Sequence, residues 1–283
     1  MHPRHTAQVL RRARAASATF GLARPPVALE RAAHRCGIGE IRPVDLPREP
    51  AALITQARGR AVLAVDGRIP PHTPQWNGLV ALAVARTLLP PGAGDADTNE
   101  LAEVGAAELL LPARVFRPIA ARTDLTMDGL RDLARRFSAP IRLTIRQWLL
   151  TGTWAGFALL WRQDPAGIRL AWRAASPDAA YPATVVLGAS ADEVWRDRSR
   201  LDATLRTGRP HHGVEEVATG SSPVWWFTRF GIVRDDGGRA ALALVIFDRR
   251  GGPAHAHGPE GINSGSANTK PTAGRRSFTR RRR

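Results

Sequence analysis

A single cysteine, Cys36, and a single lysine, Lys270, stand among the 283 residues of this chain. One cysteine excludes a disulfide within the chain and any zinc site built from thiolates. Cys36 lies in an apolar helical pattern and reads as a small core residue. No apolar run approaches the ~18–20 residues needed to span a bilayer. The leader Met1–Gly21 is rich in arginine, free of acids, and without the continuous apolar core of a secretory signal. An organellar transit peptide would look partly similar, but a basic leading helix is the more economical reading. A cytoplasmic protein with no membrane partner is expected. Nor do any of the 8 histidines form a pair at i and i+4, the spacing that lets one helix face hold a metal.

What the chain does have is arginine. The formal net charge is +16, and hydrophobic residues make up 43%, ample for a core. Such a balance favours acidic partners and nucleic acid through non-specific attraction. From Arg249 onward nine basic residues face only Glu260, so half of the excess sits in the tail. Gly251–Arg283 is rich in Gly, Ser, Asn, Pro and Arg, cannot bury an apolar face, and reads as disordered. Non-specific nucleic-acid binding through this tail is one expectation.

Along the body, Val9–Phe20 and Val27–Cys36 read as helices, the second opened by Pro25-Pro26 and closed by Gly37. Ala61–Val65 reads as a strand followed by an Asp66-Gly67 turn. Leu79–Leu89 is apolar on nearly every face and reads as a buried helix, Pro90–Asp97 as a loop, and Leu101–Leu111 as a second core helix. Asp124–Leu150 carries two helical runs broken at Ser138-Ala139-Pro140, a helix-turn-helix pattern. Arg131, Arg135, Arg136, Arg142 and Arg146 decorate it. Either its second helix contacts DNA or the arginines form a solvated face; the second reading is preferred. Beyond Gly156, the segments Phe157–Trp161, Ile168–Ala174, Thr184–Leu187, Val224–Val233 and Ala241–Phe247 read as strands around a helix at Ala191–Leu205, a small α+β unit. Trp225, Trp226 and Phe227 either line a sensor pocket there or belong to its core. His211-His212-Gly213-Val214-Glu215-Glu216 is the one compact His/Glu cluster and reads as a surface loop.

The most informative stretch is Glu100–Pro112, ELAEVGAAELLLP, with the apolar segment Leu79–Pro90 before it. On its own AAELLLP is also an ordinary amphipathic helix ending at a proline. Taken with the paired prolines of Pro25–Ile38 and the helical segment Asp124–Leu150, the order and spacing resemble the ImmA/IrrE family of zinc metallopeptidases, in which an HExxH helix precedes a helix ending in FAAELLMP. The resemblance implies a zincin-like core at residues 1–120, a helix-turn-helix segment at 121–151, a GAF-like sensor domain at 152–250 and a basic tail at 251–283, an α+β protein overall. It also implies a helix-turn-helix repressor as partner, cut by active members to release stress or mobile-element genes.

The chemistry of that family is degenerate here. The resemblance places the two metal-binding histidines at Leu82 and Arg86, the catalytic glutamate at Ala83, and the third ligand at Asn99, with Glu100 one residue off. Leucine has no lone pair, arginine is a permanent cation that only donates, and alanine cannot take a proton from a metal-bound water. Zinc, the cofactor of active relatives, is therefore not expected. Arg86 either pairs with a carboxylate of the second helix, Glu100 or Glu103, and replaces the metal's charge, or runs out to solvent beside Pro90. A non-catalytic regulator is the leading reading. A zinc endopeptidase acting on a repressor and a DNA-binding regulator are the alternatives.

If the tail is dispensable, limited proteolysis removes it first, and truncation at Gly251 leaves the melting temperature unchanged. A substantial drop would mean that the tail packs on the body.

Overall fold

A computed structural model of the chain describes residues 3–21, 29–46, 52–57, 60–91, 95–124, 126–151, 156–177, 179, 185–195, 197–213, 228–234 and 240–247. The disordered-tail expectation, the pocket at Trp225, Trp226 and Phe227, and Glu215 and Glu216 fall outside these residues.

The fold is α+β. Helices α1 (Pro3–Thr19) and α2 (Leu29–Arg35) lead into β1 (Ile38–Val44), β2 (Ala52–Ala57) and β3 (Arg60–Asp66). These strands make a sheet of order β1-β3-β2, with β1 parallel and β2 antiparallel to β3. The helices α3 (Pro74–Thr87), α4 (Asp95–Leu110), α5 (Ala113–Ala120), α6 (Met127–Phe137) and α7 (Ile141–Leu150) follow. Strands β4 (Gly156–Asp164) and β5 (Gly167–Ala175), short helices α8 (Ala191–Val194) and α9 (Ser199–Thr207), and strands β6 (His211–Gly213), β7 (Thr228–Arg234) and β8 (Ala240–Phe247) complete the chain. The second sheet is antiparallel, in the order β5-β4-β8-β7-β6.

Each central helix has a local cause. α3 begins at Pro74, whose missing N–H costs nothing in the first turn, and Thr73 accepts a hydrogen bond from the Trp76 N–H as N-cap. α6 has the same device: Thr126 caps Gly129, and Ser138 ends the helix in the left-handed conformation. α1, α3 and α4 cross closely at Gly105. A Cβ there would lie 3.0 Å from the Cβ of Ala85 and 3.1 Å from Cγ1 of Val9. α4 is buried at every position from Leu101 to Leu110, and α7 from Leu143 to Leu149.

The five-stranded sheet separates two cores by strand alternation. Ala158 and Leu160 of β4 face the helices, and Phe157, Leu159 and Trp161 face α8 and α9. The core of the helices and the helix-facing side of this sheet form one cluster.

Several expectations are corrected. α7 is no DNA-reading helix: it is buried on all sides, so it cannot enter a groove. Only the α6 arginines fit a solvated basic face. Arg131 pairs with Asp128 and Arg135 with Asp132, whereas Arg142 and Arg146 turn inward. The expected strand at Thr184–Leu187 is irregular chain over 185–188. The helix expected over Ala191–Leu205 is split into α8 and α9, because Ser190 closes a capping box on a single turn that ends at Trp195 in extended conformation. His211-His212-Gly213 is an edge strand rather than a loop. Strands β1 and β2 and helix α5 were not expected. Pro43 in β1 and the short α5 with its internal Pro118 conceal their periodicity.

Asp66 anchors the end of β3. Its buried carboxylate accepts from the Arg68 backbone N–H at 2.9 Å and from Arg68 Nε at 2.9 Å. The Arg68 side chain, then its backbone N–H, lowers the Asp66 pKa to about 2. A depressed carboxyl pKa stabilises the fold above the ordinary value of about 4 and ceases to do so as pH falls through the folded value. Asp66→Asn is thus expected to lower the melting temperature at pH 7, with the gap from the native protein closing between about pH 4 and pH 2. A gap independent of pH in that window would contradict the assignment.

Candidate functional site

The residues that the resemblance assigns to metal-ligand positions lie on the facing helices α3 and α4. Arg86 and Asn99 are both exposed, and Arg86 Nη2 donates to Asn99 Oδ1 at 3.1 Å. Two of the three positions where ligands are expected are thus in contact. Leu82, one turn before Arg86, is half-buried and packs on the core, and Ala83 is 3% exposed. This donor set does not fit zinc. A guanidinium repels a cation and offers no lone pair, and the neutral amide of Asn99 is not among the Cys, His and carboxylate ligands that bind zinc. Among the described residues no group of three or more His, Cys, Asp or Glu side chains could hold a metal ion.

The expected pairing of Arg86 with Glu100 or Glu103 is not what the fold makes. Both carboxylates turn to α7. Glu103 accepts from Trp172 Nε1 at 2.6 Å with an oxygen that lies 2.7 Å from Arg146 Nη2, and its other oxygen lies 3.2 Å from Arg142 Nη2. Glu100 lies 3.6 Å from Arg146 Nη1. Arg146, 4% exposed, also donates to the Arg173 carbonyl at 3.3 Å. The guanidinium carbons of Arg146 and Arg142 sit 5.1 and 5.7 Å from the Trp172 ring centroid. Two cations and two anions are therefore buried or half-buried together around one indole.

Trp172 reaches this cluster because of a bulge in β5. Trp161 pairs with Leu170 and Leu160 with Trp172, which leaves Ala171 as the extra residue. The inserted residue turns Leu170 to the α9 side and Trp172 to the α4 side. Residue patterns alone do not single out Arg142, Arg146 and Trp172 for this role. A signal exists all the same: Glu100 and Glu103 stand at i, i+3 and Arg142 and Arg146 at i, i+4, so each pair shares one helix face.

The glutamate of AAELLLP has a structural task. Glu108, 3% exposed, accepts from the Ala113 N–H at 3.2 Å, from Arg14 Nε at 3.4 Å and from Gln147 Nε2 at 3.0 Å. Pro112 at the start of α5 makes no side-chain cap. Glu108 supplies that cap from one turn earlier and ties α1 and α7 to α4.

The fold is shared with a regulator. A solved structure described as a Mycobacterium tuberculosis transcriptional regulator is similar with a TM-score of 0.56 and 19% identity, over 84% of this chain and 76% of that chain. At that identity the likeness is one of fold. No family model matches the sequence, and no curated protein matches it. Among the described residues no helix is long and apolar enough to cross a membrane.

The two arginines now carry opposite expectations. Glu103→Ala leaves the buried Arg146 with only the longer contact to Glu100 and the Arg173 carbonyl, and costs about 3 kcal/mol. Arg86→Leu removes one exposed hydrogen bond to a neutral partner and changes stability by no more than about 0.5 kcal/mol. Denaturant unfolding of the two variants checks both, and a larger loss at Arg86 than at Glu103 would reverse the assignment.

Proposed function

We propose that the chain is a non-catalytic regulator of transcription built on a metallopeptidase-like scaffold. The observation that carries this reading is the Arg86–Asn99 hydrogen bond. Two positions that hold metal ligands in the resembling peptidases meet across α3 and α4, yet carry a donor and its neutral acceptor. Leu82 stands at the remaining ligand position and buried Ala83 at that of the base. With no metal donors and no group to activate water, the scaffold is left with binding. The fold likeness to a protein named a transcriptional regulator supports the regulatory half of the proposal. In this reading residues 1–120 form the peptidase-like domain, 121–151 the helical segment and 152–250 the sensor domain. The partner is a helix-turn-helix repressor, held rather than cut.

Elemental analysis and zinc titration test the proposal. The native protein is expected to carry no stoichiometric zinc. The triple variant Leu82→His, Arg86→His, Asn99→Glu is expected to take up about one zinc per chain, because the three positions then present a His₂Glu set. It should gain no peptidase activity, since Ala83 still lacks a carboxylate. About one tightly bound zinc in the native protein would overturn the proposal. A folded triple variant that binds no zinc would overturn the scaffold assignment.

A further inference from the structure

We infer that the cavity between the β4–β5 hairpin and α9 is a binding site for a small amphipathic carboxylate, with Arg206 taking its charge. The cavity measures about 590 Å³, within the range of small-molecule sites. Ile168 of β5 and Leu205 of α9 are its most buried lining residues, and both belong to the core on this side of the sheet. Gln163 and Gly167 line it from the hairpin, and Arg198, Asp202 and Arg206 from the α9 side. An apolar floor with a few polar groups at its rim is the usual make-up of a small-molecule site.

Local sequence builds this opening. Asp164 Oδ1 accepts from the Ala166 N–H at 2.8 Å, and Gly167 has a φ of +121° that side chains rarely allow. The hairpin therefore closes tightly, with Gln163 paired to Ile168 and Asp164 to Gly167 at its tip. α9 turns Leu201, Thr204 and Leu205 to the core and ends at Gly208 in the left-handed conformation. Arg198, its N-cap residue, Asp202 and Arg206 follow at intervals of four, so they form one stripe along the cavity.

The pairing within that stripe leaves one charge unspent. Asp202 has an arginine one turn away on each side. It takes Arg198, whose Nε lies 3.3 Å from Asp202 Oδ2, and Arg198 Nη1 also donates to Asp192 at 2.8 Å. Arg206 is exposed and makes no ion pair among the described residues. The side-chain amide of Gln163, exposed across the cavity, makes no hydrogen bond among them either. A cation in the last turn of a helix is favourable in itself; the apolar floor beside Arg206 is what makes a site of it. A carboxylate matches the single unspent charge, and the guanidinium fork takes both its oxygens. A phosphate dianion would bring a second negative charge up against Asp202. The rest of the ligand is apolar, because it covers Ile168 and Leu205. A sensing role for this site rests on the proposed reading of residues 152–250; the binding itself does not.

The test is calorimetric titration of the full-length protein with octanoate, 1-octanol, acetate and octyl phosphate. Octanoate is expected to bind saturably at one site, and octanol, which lacks the charge, and acetate, which lacks the apolar body, at least about tenfold more weakly. Arg206→Gln is expected to weaken octanoate about tenfold and to leave octanol unchanged. The control Arg136→Gln, exposed on α6, is expected to match the native protein. Gln163→Trp, at an exposed position, fills the cavity and is expected to abolish octanoate binding with the circular dichroism spectrum unchanged. No octanoate binding up to ~10 mM would overturn the proposal. So would equal affinity for octanol and octanoate, or octanoate binding that survives in both Arg206→Gln and Gln163→Trp. Octyl phosphate bound about tenfold more tightly than octanoate would overturn the carboxylate assignment. Stoichiometric zinc in the native protein would end the non-catalytic reading and leave this site standing, whereas failure of octanoate to bind would end the site and leave that reading.

Discussion

The carboxylate of Glu103 is shared by Arg146, Arg142 and the Trp172 indole, and those partners come from helix α7 and strand β5. Burying one guanidinium costs several kcal/mol unless it is paired and hydrogen-bonded. The packing of α4 on α7, and of both on the second sheet, must therefore keep these groups within reach of one another. That constraint explains the bulge at Ala171: without the extra residue, Trp172 would share the face of Leu170 and the indole N–H would not reach Glu103. It also explains why α7, apolar and arginine-bearing together, is a core element and not a reading head.

Glu108 has the complementary role, farther along the same helix. It caps α5, receives Gln147 from α7 and receives Arg14 from α1. Glu103 and Glu108 make α4 the hub to which α1, α5, α7 and β5 are tied. The apolar surface of α4 buries against these neighbours without choosing among close registers. The two carboxylates accept hydrogen bonds at fixed positions and so select one.

The consequence for function is a division of the arginines into two classes. Arg12, Arg142 and Arg146 spend their donors on backbone carbonyls and buried carboxylates inside the molecule. Arg86 meets only a neutral amide at the surface. The net charge of +16 is thus no measure of the charge on offer to a partner. The offer depends on which helices face outward, and α1 offers more than α7.

Much of the helical frame is legible in the residues. The apolar run of Leu79–Leu89, the ending at Pro112 and the break at Pro140 all mark real helices, because local periodicity and proline sterics act over a few residues. Only the resemblance brings positions 86 and 99 to one site; the residues themselves point Arg86 to Glu100 or Glu103. The partner of Arg86 and the fate of Glu103 are not legible. Asn99, Glu100 and Glu103 are near neighbours on one helix, and only the rotation of α4 against α3 and α7 decides which side chain meets which arginine. That rotation is set by the tight crossing at Gly105 and by a tryptophan 69 residues away from Glu103, contacts that no local pattern encodes. Residue identities alone establish that positions 82, 83 and 86 carry no histidine or glutamate and that arginine carries the charge. Which arginines are buried as struts and which face solvent is settled by the packed fold, because burial is a property of surfaces brought together and not of the residues one by one.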